Sequence, residues 1–376
     1  MDILSSLTIG LTALSLKHVA MWLIGAVLIY LAIKKDYEPL LLLPIGFGAI
    51  LANIPFSSAV GEAGPLTLLL KAGILNELFP VLIFIAIGAM CDFRPLLNNP
   101  LMMVFGAAAQ FGIFMTILIA TLLGFPLNEA AAVGIIGAAD GPTTIYVANK
   151  FARELLGPLS VAAYSYMALV PIIQPPVIKL LTSKKERTIR MPYTNEAPVS
   201  RAVRILFPIS VTIIAGVIAP MSVALIGFLM FGNLLRECGV VERLSKAAQN
   251  ELANLVTLLL GITIGGTMDA EAFLNIKTLL ILALGLFAFI FDTAGGVLVA
   301  KLLNLFLKNK INPMIGAAGI SAFPMSARVI AKMALAEDKG NYLIMHSIGA
   351  NVAGQIGSII AGGIVLTIIG AMLGIV

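Results

Sequence analysis

The sequence predicts an all-α polytopic membrane protein of about 10–11 transmembrane segments, and three observations carry that prediction. Hydrophobic residues make up 60% of the chain and charged residues 11%, whereas soluble domains carry about 25% charged residues. Apolar runs of bilayer-spanning length recur from end to end. These runs do not alternate with polar residues, which excludes a barrel and leaves helices to satisfy the backbone in lipid.

In chain order, residues 20–33 read as a short first span, stopped by Lys34-Lys35-Asp36, and 40–54 as a second. A polar stretch with glycine and proline follows over 55–65, then segments at 78–90, 101–123, 130–148 and 159–181. Residues 182–204 are the long polar interruption; Lys184, Lys185, Arg187, Arg190, Arg201 and Arg204 assign it to the cytoplasm. Apolar segments resume at 205–219, 223–235, 252–264, 279–305, 311–333 and 342–376. The first 15 residues are weakly amphipathic and lack a basic leader and a small-residue cleavage site, so no cleavable signal is expected.

The two halves resemble each other. Gly88-Ala89-Met90-Cys91-Asp92 recurs as Gly265-Gly266-Thr267-Met268-Asp269, and Gly73-Ile74-Leu75 lines up with Gly239-Val240-Val241. Pro142 and Pro324, Lys150 and Lys332, and Tyr164 and His346 are each 182 residues apart. Matches in the same order argue for duplication. The expected organisation is N-terminal spans (1–60), a first repeat (61–181), a basic linker (182–204) and a second repeat (205–376). If the Asp140 segment dips in and out, an odd number of spans separates the copies and the repeats are inverted. Inverted repeats with broken helices at matching positions mark an elevator-like transporter architecture with a site near the midplane.

The breaks lie at 134–150 and 316–332. In the first, Asp140-Gly141-Pro142-Thr143-Thr144 interrupts an apolar run. A carboxylate at lipid depth costs about 2.5–3.5 kcal/mol, so a functional role is the default. Glycine and proline free backbone groups that side chains, water or an ion must satisfy. Near the second break stand Asn312, Ser321, Ser326 and Arg328; the last span adds Asn351, Gln355 and Ser358. One carboxylate among neutral oxygens suits a small hard cation such as Na⁺ better than Ca²⁺. The competing roles are a salt bridge from Asp140 to Arg328 or Lys150, and interhelical hydrogen bonding for Asn351 and Ser321. Asp92 and Asp269, where spans end, read as helix caps.

Other chemistry is excluded. Two cysteines and two histidines support neither a zinc site nor a disulfide framework. The net charge of +5 comes with basic residues in loops, which is no nucleic-acid signal. There is no Ser-His-Asp set, phosphate loop or dinucleotide fingerprint, so the energy source is an ion gradient or chemistry on something a partner delivers.

Ala139-Asp140-Gly141-Pro142-Thr143, the stretch from Ala162-Ala163-Tyr164-Ser165-Tyr166-Met167 to Gln174-Pro175-Pro176, and Phe231-Gly232-Asn233-Leu234-Leu235-Arg236-Glu237 closely resemble the β subunits of sodium-pumping, biotin-dependent decarboxylases. That group includes the oxaloacetate, methylmalonyl-CoA and glutaconyl-CoA enzymes. The likeness continues through Asn312-Pro313-Met314-Ile315-Gly316 to Ser321, and through Asn351-Val352-Ala353-Gly354-Gln355 to Ser358. It departs at Ala350, where many relatives have proline, and around Lys332.

The resemblance implies a multi-pass subunit of the bacterial cytoplasmic (inner) membrane. It would decarboxylate carboxybiotin on a biotin carrier, consume a proton and export Na⁺. Implied partners are a carboxyltransferase α subunit, the biotin carrier protein and small membrane γ/δ subunits, with a homo-oligomer compatible. Implied cation ligands are Asp140, Asn312, Ser321 and Asn351; implied catalytic residues are Asp140, Tyr166 and Arg328. Tyr166 or Asp140 would relay the proton that the leaving biotin nitrogen needs, while Arg328 would hold the substrate carboxylate or balance Asp140. The compact chain hints at the acyl-CoA enzymes. A Na⁺-coupled secondary carboxylate symporter shares repeats, broken helices and a midplane site, and composition does not separate the two.

Overall fold

In the computed structural model, residues 10–191 and 199–374 are described; most of the weakly amphipathic N-terminal stretch, the middle of the basic linker and the last two residues lie outside them. Among the described residues every regular element is helical. Short helical turns aside, in chain order they are α1 (Leu16–Lys35), α2 (Pro39–Ala52), α3 (Pro65–Ile74), α4 (Leu78–Met90), α5 (Met102–Leu122), α6 (Leu127–Gly134), α7 (Gly141–Phe151), α8 (Leu156–Leu181), α9 (Arg201–Ile218), α10 (Val223–Glu237), α11 (Glu242–Gly266), α12 (Ile276–Phe306), α13 (Met325–Glu337) and α14 (Ile344–Met372). Six of these are long and apolar enough to cross a membrane alone, or eight if each bent pair counts as one span. The shortfall from 10–11 has a plain cause: α2 and α10 are apolar but have only 14 and 15 residues, and the segments predicted at 130–148 and 311–333 are interrupted.

Local chemistry sets the ends. Ser15 and Asn275 cap α1 and α12, their side-chain oxygens accepting the amides of His18 and Thr278. Helix α12, at 31 residues, is about 46 Å long at 1.5 Å per residue, more than a bilayer core. Helix α11 begins ten residues before its predicted start, because Glu242–Ala247 is charged and hides the helix from an apolar count. Helix α8 bends by 64° between Met167 and Leu169, just ahead of Pro171, Pro175 and Pro176, which remove backbone donors. Asp92 and Asp269 accept the backbone amides of Arg94 and Glu271, as turn-forming residues at span ends do.

The helices pack through small residues. A Cβ on Gly88 of α4 would stand 1.8 Å from the Leu229 carbonyl oxygen of α10, and one on Gly232 of α10 would stand 2.0 Å from that of Ile85. The α2–α11 pair repeats this contact: a Cβ on Gly48 would stand 2.4 Å from the Ile262 oxygen and one on Gly265 2.2 Å from that of Ile45. In lipid, such close backbone approach is what holds helices together. Both the segment leading to α4 and the body of α11 contain a π-helical turn, at Leu70–Ile74 and Ala248–Leu252. One expected correspondence fails: Gly73 sits inside a π turn, whereas Gly239 has a φ of +70° in the turn after α10.

Ion pairs sort into two ends of the bundle. At one end lie Arg187–Glu337 (2.7 Å), Arg190–Asp338 (2.6 Å), Arg204–Glu237 (2.9 Å) and the Arg236–Asp92–Arg94 group. At the other lie Lys17–Glu271, Lys277–Glu129 (2.6 Å) and Lys150–Glu77 (2.7 Å). Between them α14 is buried along most of its length, whereas α9 buries only Pro208 and Ala215. The polar clusters are therefore carried on the most enclosed of the long spans and the two breaks packed against it.

Gly88→Ala is expected to force α4 from α10 and destabilise the protein by about 1–3 kcal/mol, read as thermal unfolding in detergent. Gly227→Ala on the same α10, where the nearest atom is 3.7 Å from the added Cβ, should leave the midpoint unchanged or raise it.

Candidate functional site

The first break is built by α6, the 3-10 turn Ile135–Ala138, and α7. Ala139 turns the chain with a φ of +54°, and Asp140 then caps α7. Pro142 occupies the first turn of α7, where its missing amide costs nothing. Asp140 is 3% exposed. Its Oδ1 accepts the Thr143 amide at 3.2 Å, and its Oδ2 accepts the hydroxyls of Thr143 at 2.8 Å and of Ser358, on α14, at 3.1 Å. The carboxylate thus rests on the positive end of a helix and two hydroxyls. Among the described residues it has no ion pair. The expected alternative with Lys150 is ruled out by geometry, since Lys150 pairs with Glu77 at 2.7 Å.

The second break runs from Met314–Ala317 through a turn with a cis Phe323–Pro324 bond to α13. Ser321 Oγ donates to the Ala138 carbonyl, so the tips of the two breaks touch. Helix α14 secures the second tip. Asn351 Nδ2 donates to the carbonyls of Ala318 (3.2 Å) and Ile320 (2.6 Å), and Gln355 Nε2 donates to that of Ser321. Ser358, about one turn beyond Gln355 and two beyond Asn351, reaches Asp140. A single helix face therefore ties both breaks together. Asn351 Oδ1 is buried without a hydrogen-bond partner, an oxygen available to a ligand.

A cavity of about 380 Å³ opens onto this junction, lined by Asp140, Pro142, Ser321, Arg328 and Gln355, with Ile87 and Met90 from α4. Its Met90 rim lies at the arginine-rich end of the bundle, where Arg236 Nη1 donates to the Met90 carbonyl at 2.7 Å. Arg328 has no ion pair among the described residues. Glu38, half-buried between α1 and α2, feels its charge: burial pushes the Glu38 carboxyl up, Arg328 pulls it back, and Asp36 adds to the rise.

Of the predicted site residues, Asp140, Ser321, Asn351 and Arg328 are thus brought together. Asn312 stands elsewhere. Its Nδ2 donates to the carbonyls of Arg187 (2.8 Å) and Ile189 (2.9 Å), and its Oδ1 accepts the Met314 amide, so it fastens the break to the linker. Tyr166 faces α12, donating to the Leu282 carbonyl and stacking obliquely on Phe289. The tyrosine against the break is Tyr164: its ring fills the space beside Gly141, and its buried hydroxyl has no hydrogen-bond partner. Residues two apart on a helix point to nearly opposite sides, so the Tyr-Ser-Tyr motif offers only one tyrosine to the break. Asp292 was also missed. It is the sole acid in α12, and a lone carboxylate in such an apolar helix is signal enough.

Comparison with known proteins bears on this geometry. The family model described as "Na+-transporting oxaloacetate decarboxylase beta subunit" matches residues 17–369. The chain is 51% identical to glutaconyl-CoA decarboxylase subunit beta of Acidaminococcus fermentans, over 96% of each chain. It is 51% identical to methylmalonyl-CoA decarboxylase subunit beta of Veillonella parvula, over 96% of this chain and 95% of that one. It is 46% identical to oxaloacetate decarboxylase beta chain 2 of Salmonella typhimurium, over 96% and 98%.

Ser358→Ala removes one hydroxyl from a buried carboxylate and should cost about 1.5–3 kcal/mol of stability, measured by thermal unfolding in detergent. An unchanged midpoint would mean that α14 does not hold Asp140.

Proposed function

The chain belongs to the Na⁺-transporting oxaloacetate decarboxylase beta-subunit family, and from that membership we propose that it decarboxylates carboxybiotin and exports Na⁺ at one shared site. The observation that carries this reading is the cavity running from the arginine-rich end to Asp140. The same end holds Lys34, Lys35 and the basic linker, and the positive-inside rule makes it cytoplasmic. Carboxybiotin, presented by a biotin carrier, would enter from that side of a bacterial inner membrane. The carrier, a carboxyltransferase subunit and small membrane subunits are the partners this chemistry requires.

The Na⁺ ligands we assign are Asp140, the Ser321 hydroxyl and the free Asn351 Oδ1, with Thr143 beside them. A single carboxylate among neutral oxygens suits a monovalent hard cation. Asn312 serves the site by fixing the start of the second break, and Tyr166 by holding α8 against α12. Arg328 meets the carboxylate of the substrate, a charge-assisted contact. In the reaction the C–N bond of carboxybiotin breaks, CO₂ leaves, and the electron pair stays on the ring nitrogen, which takes up a proton. A water-poor cavity favours loss of the charged carboxylate. Delivery of the proton through Asp140 would discharge the cation's anionic ligand at the step when Na⁺ must leave.

An inverted repeat fits this cycle. The reciprocal glycine contacts of α4–α10 and α2–α11 support it, because exchanging the two halves maps one pair onto the other. So do the matching π turns. With both breaks re-entrant, five spans lie in each half, and the copies run in opposite senses. We place the halves at about residues 1–181 and 205–376 around the linker at 182–204, with an elevator-like exchange of the site between the two faces.

In the purified complex supplied with carboxylated biotin carrier, Asp140→Asn should lower Na⁺-stimulated CO₂ release by about 100-fold or more. Na⁺ transport should fall in parallel. Decarboxylation that keeps its normal rate and Na⁺ dependence would remove Asp140 from the centre of the reaction.

A further inference from the structure

On the exposed side of α12 two hollows meet at Leu298, and neither is lined by a residue of the Asp140 junction. The first, about 500 Å³, lies at the linker end of the helix. Leu298, Leu302 and Leu305 give it an apolar wall, and Lys301, Lys310 and Glu186 add charge. The second, about 370 Å³, is lined by Gly295, Leu298, Phe111 and Phe114. Leu298 belongs to both, so they form one groove along α12. Gly295 precedes Lys301 by six residues, which sets the far part about 9 Å deeper along the helix.

Local bonds hold the cations at the mouth. Lys301 Nζ donates to the Leu181 carbonyl at 2.9 Å and pairs with Glu186 at 3.2 Å. The other oxygen of Glu186 is occupied, accepting the Ser183 amide at 2.7 Å and its hydroxyl at 2.8 Å. Asn304 folds the chain that follows α12 back onto the helix. Its Oδ1 accepts the Ile311 amide and its Nδ2 donates to the Ile311 carbonyl, both at 2.7 Å. That clasp brings Lys310 Nζ to the Asn304 carbonyl. Lys310 has no ion pair among the described residues, so two cations and one carboxylate leave the mouth positive. At the deep end a Cβ on Gly295 would stand 2.9 Å from the Ala108 carbonyl oxygen. The backbones of α12 and α5 meet there and floor the groove, where α5 steps between Met102–Ala108 and Phe111–Leu122.

A positive mouth over an exposed apolar channel, at the end that the basic linker marks as cytoplasmic, complements an anionic glycerophospholipid. We propose that this groove binds one anionic phospholipid per chain, its phosphate on Lys301 and Lys310 and an acyl chain along Leu302, Leu298 and Gly295. The lysine stems line the channel while their ammonium groups reach headgroup depth. A zwitterionic lipid fills the apolar part equally well but brings its own cation to the lysines. The site depends on the membrane orientation given by the linker and not on the chemistry at Asp140. Its occupant would bridge α5, α12 and the start of the linker.

The test is native mass spectrometry of the purified complex in detergent, titrated with phosphatidylglycerol or with phosphatidylcholine of the same chain length. Phosphatidylglycerol should saturate at one tightly held lipid per chain, with an affinity about tenfold above that of phosphatidylcholine. Lys301→Gln combined with Lys310→Gln should erase that preference. Leu298→Trp, at a position 51% exposed, should weaken both lipids by filling the channel. Equal affinities in wild type overturn the proposal, and so does a preference that survives the lysine changes or a lipid affinity that survives the tryptophan. Glycerol 3-phosphate at the concentration of the lipid should not displace it; displacement would reveal a free-phosphate site and overturn the lipid. Loss of a small membrane subunit from Leu298→Trp, with lipid binding intact, would give the face to that subunit's helix instead. Should the double lysine variant not fold, Lys310→Gln alone, on an exposed segment, should lower the preference about fivefold, and an unchanged preference overturns the proposal.

Discussion

The structure depends on holding a carboxylate at membrane depth without a cationic side chain beside it. Burying an unpaired charge is costly, and Asp140 meets that cost with the N-terminus of α7 and the hydroxyls of Thr143 and Ser358. Each of those groups presupposes something larger. A helix N-terminus at mid-depth requires a broken span, hence Gly141 and Pro142. A hydroxyl from α14 requires that helix to pass through the centre of the bundle, which is why it is buried along most of its length. The same helix holds the second break through Asn351 and Gln355. Asp140 is thus fixed by neutral dipoles, which would leave its charge available to the cation proposed for this site where an arginine would consume it.

Close packing is the second requirement, because lipid supplies no hydrophobic drive between helices. The glycine contacts of α4–α10 and α2–α11 meet it with backbone against backbone. A cavity lined by Asp140, Ser321 and Arg328 reaches the junction of the breaks from the basic end. Movement of either break relative to α14 would exchange hydrogen bonds at Ser321, Asn351 and Ser358 together.

Much of this was legible in the sequence. The all-α membrane class followed from composition, and α4 was bounded to the residue by its apolar run. The first break was visible because Asp-Gly-Pro cannot continue an apolar helix quietly. What sequence could not supply was direction. Asn312 and Asn351 both stand beside breaks, but one is spent on the linker carbonyls and only the other faces the junction. Tyr164 and Tyr166 share a motif, and the helix turns them to different neighbours. Asp292 was passed over because no glycine-proline pair announces it; its contacts, with the Gly112 amide and beside Gly137, are made far away in the chain. Charge at the start of α11 hid its first ten residues, and the shortness of α2 and α10 keeps them below spanning length.

What the proposed function turns on is whether one site couples loss of CO₂ to movement of Na⁺. The most direct measurement reconstitutes the chain with its small subunits in liposomes, adds carboxylated biotin carrier, and follows CO₂ release and radiolabelled Na⁺ in the same vesicles. Na⁺ should stimulate CO₂ release, and the two fluxes should rise and fall together. Na⁺ movement without CO₂ release, in the presence of competent carrier, would contradict it and leave a Na⁺-coupled carboxylate symporter in its place.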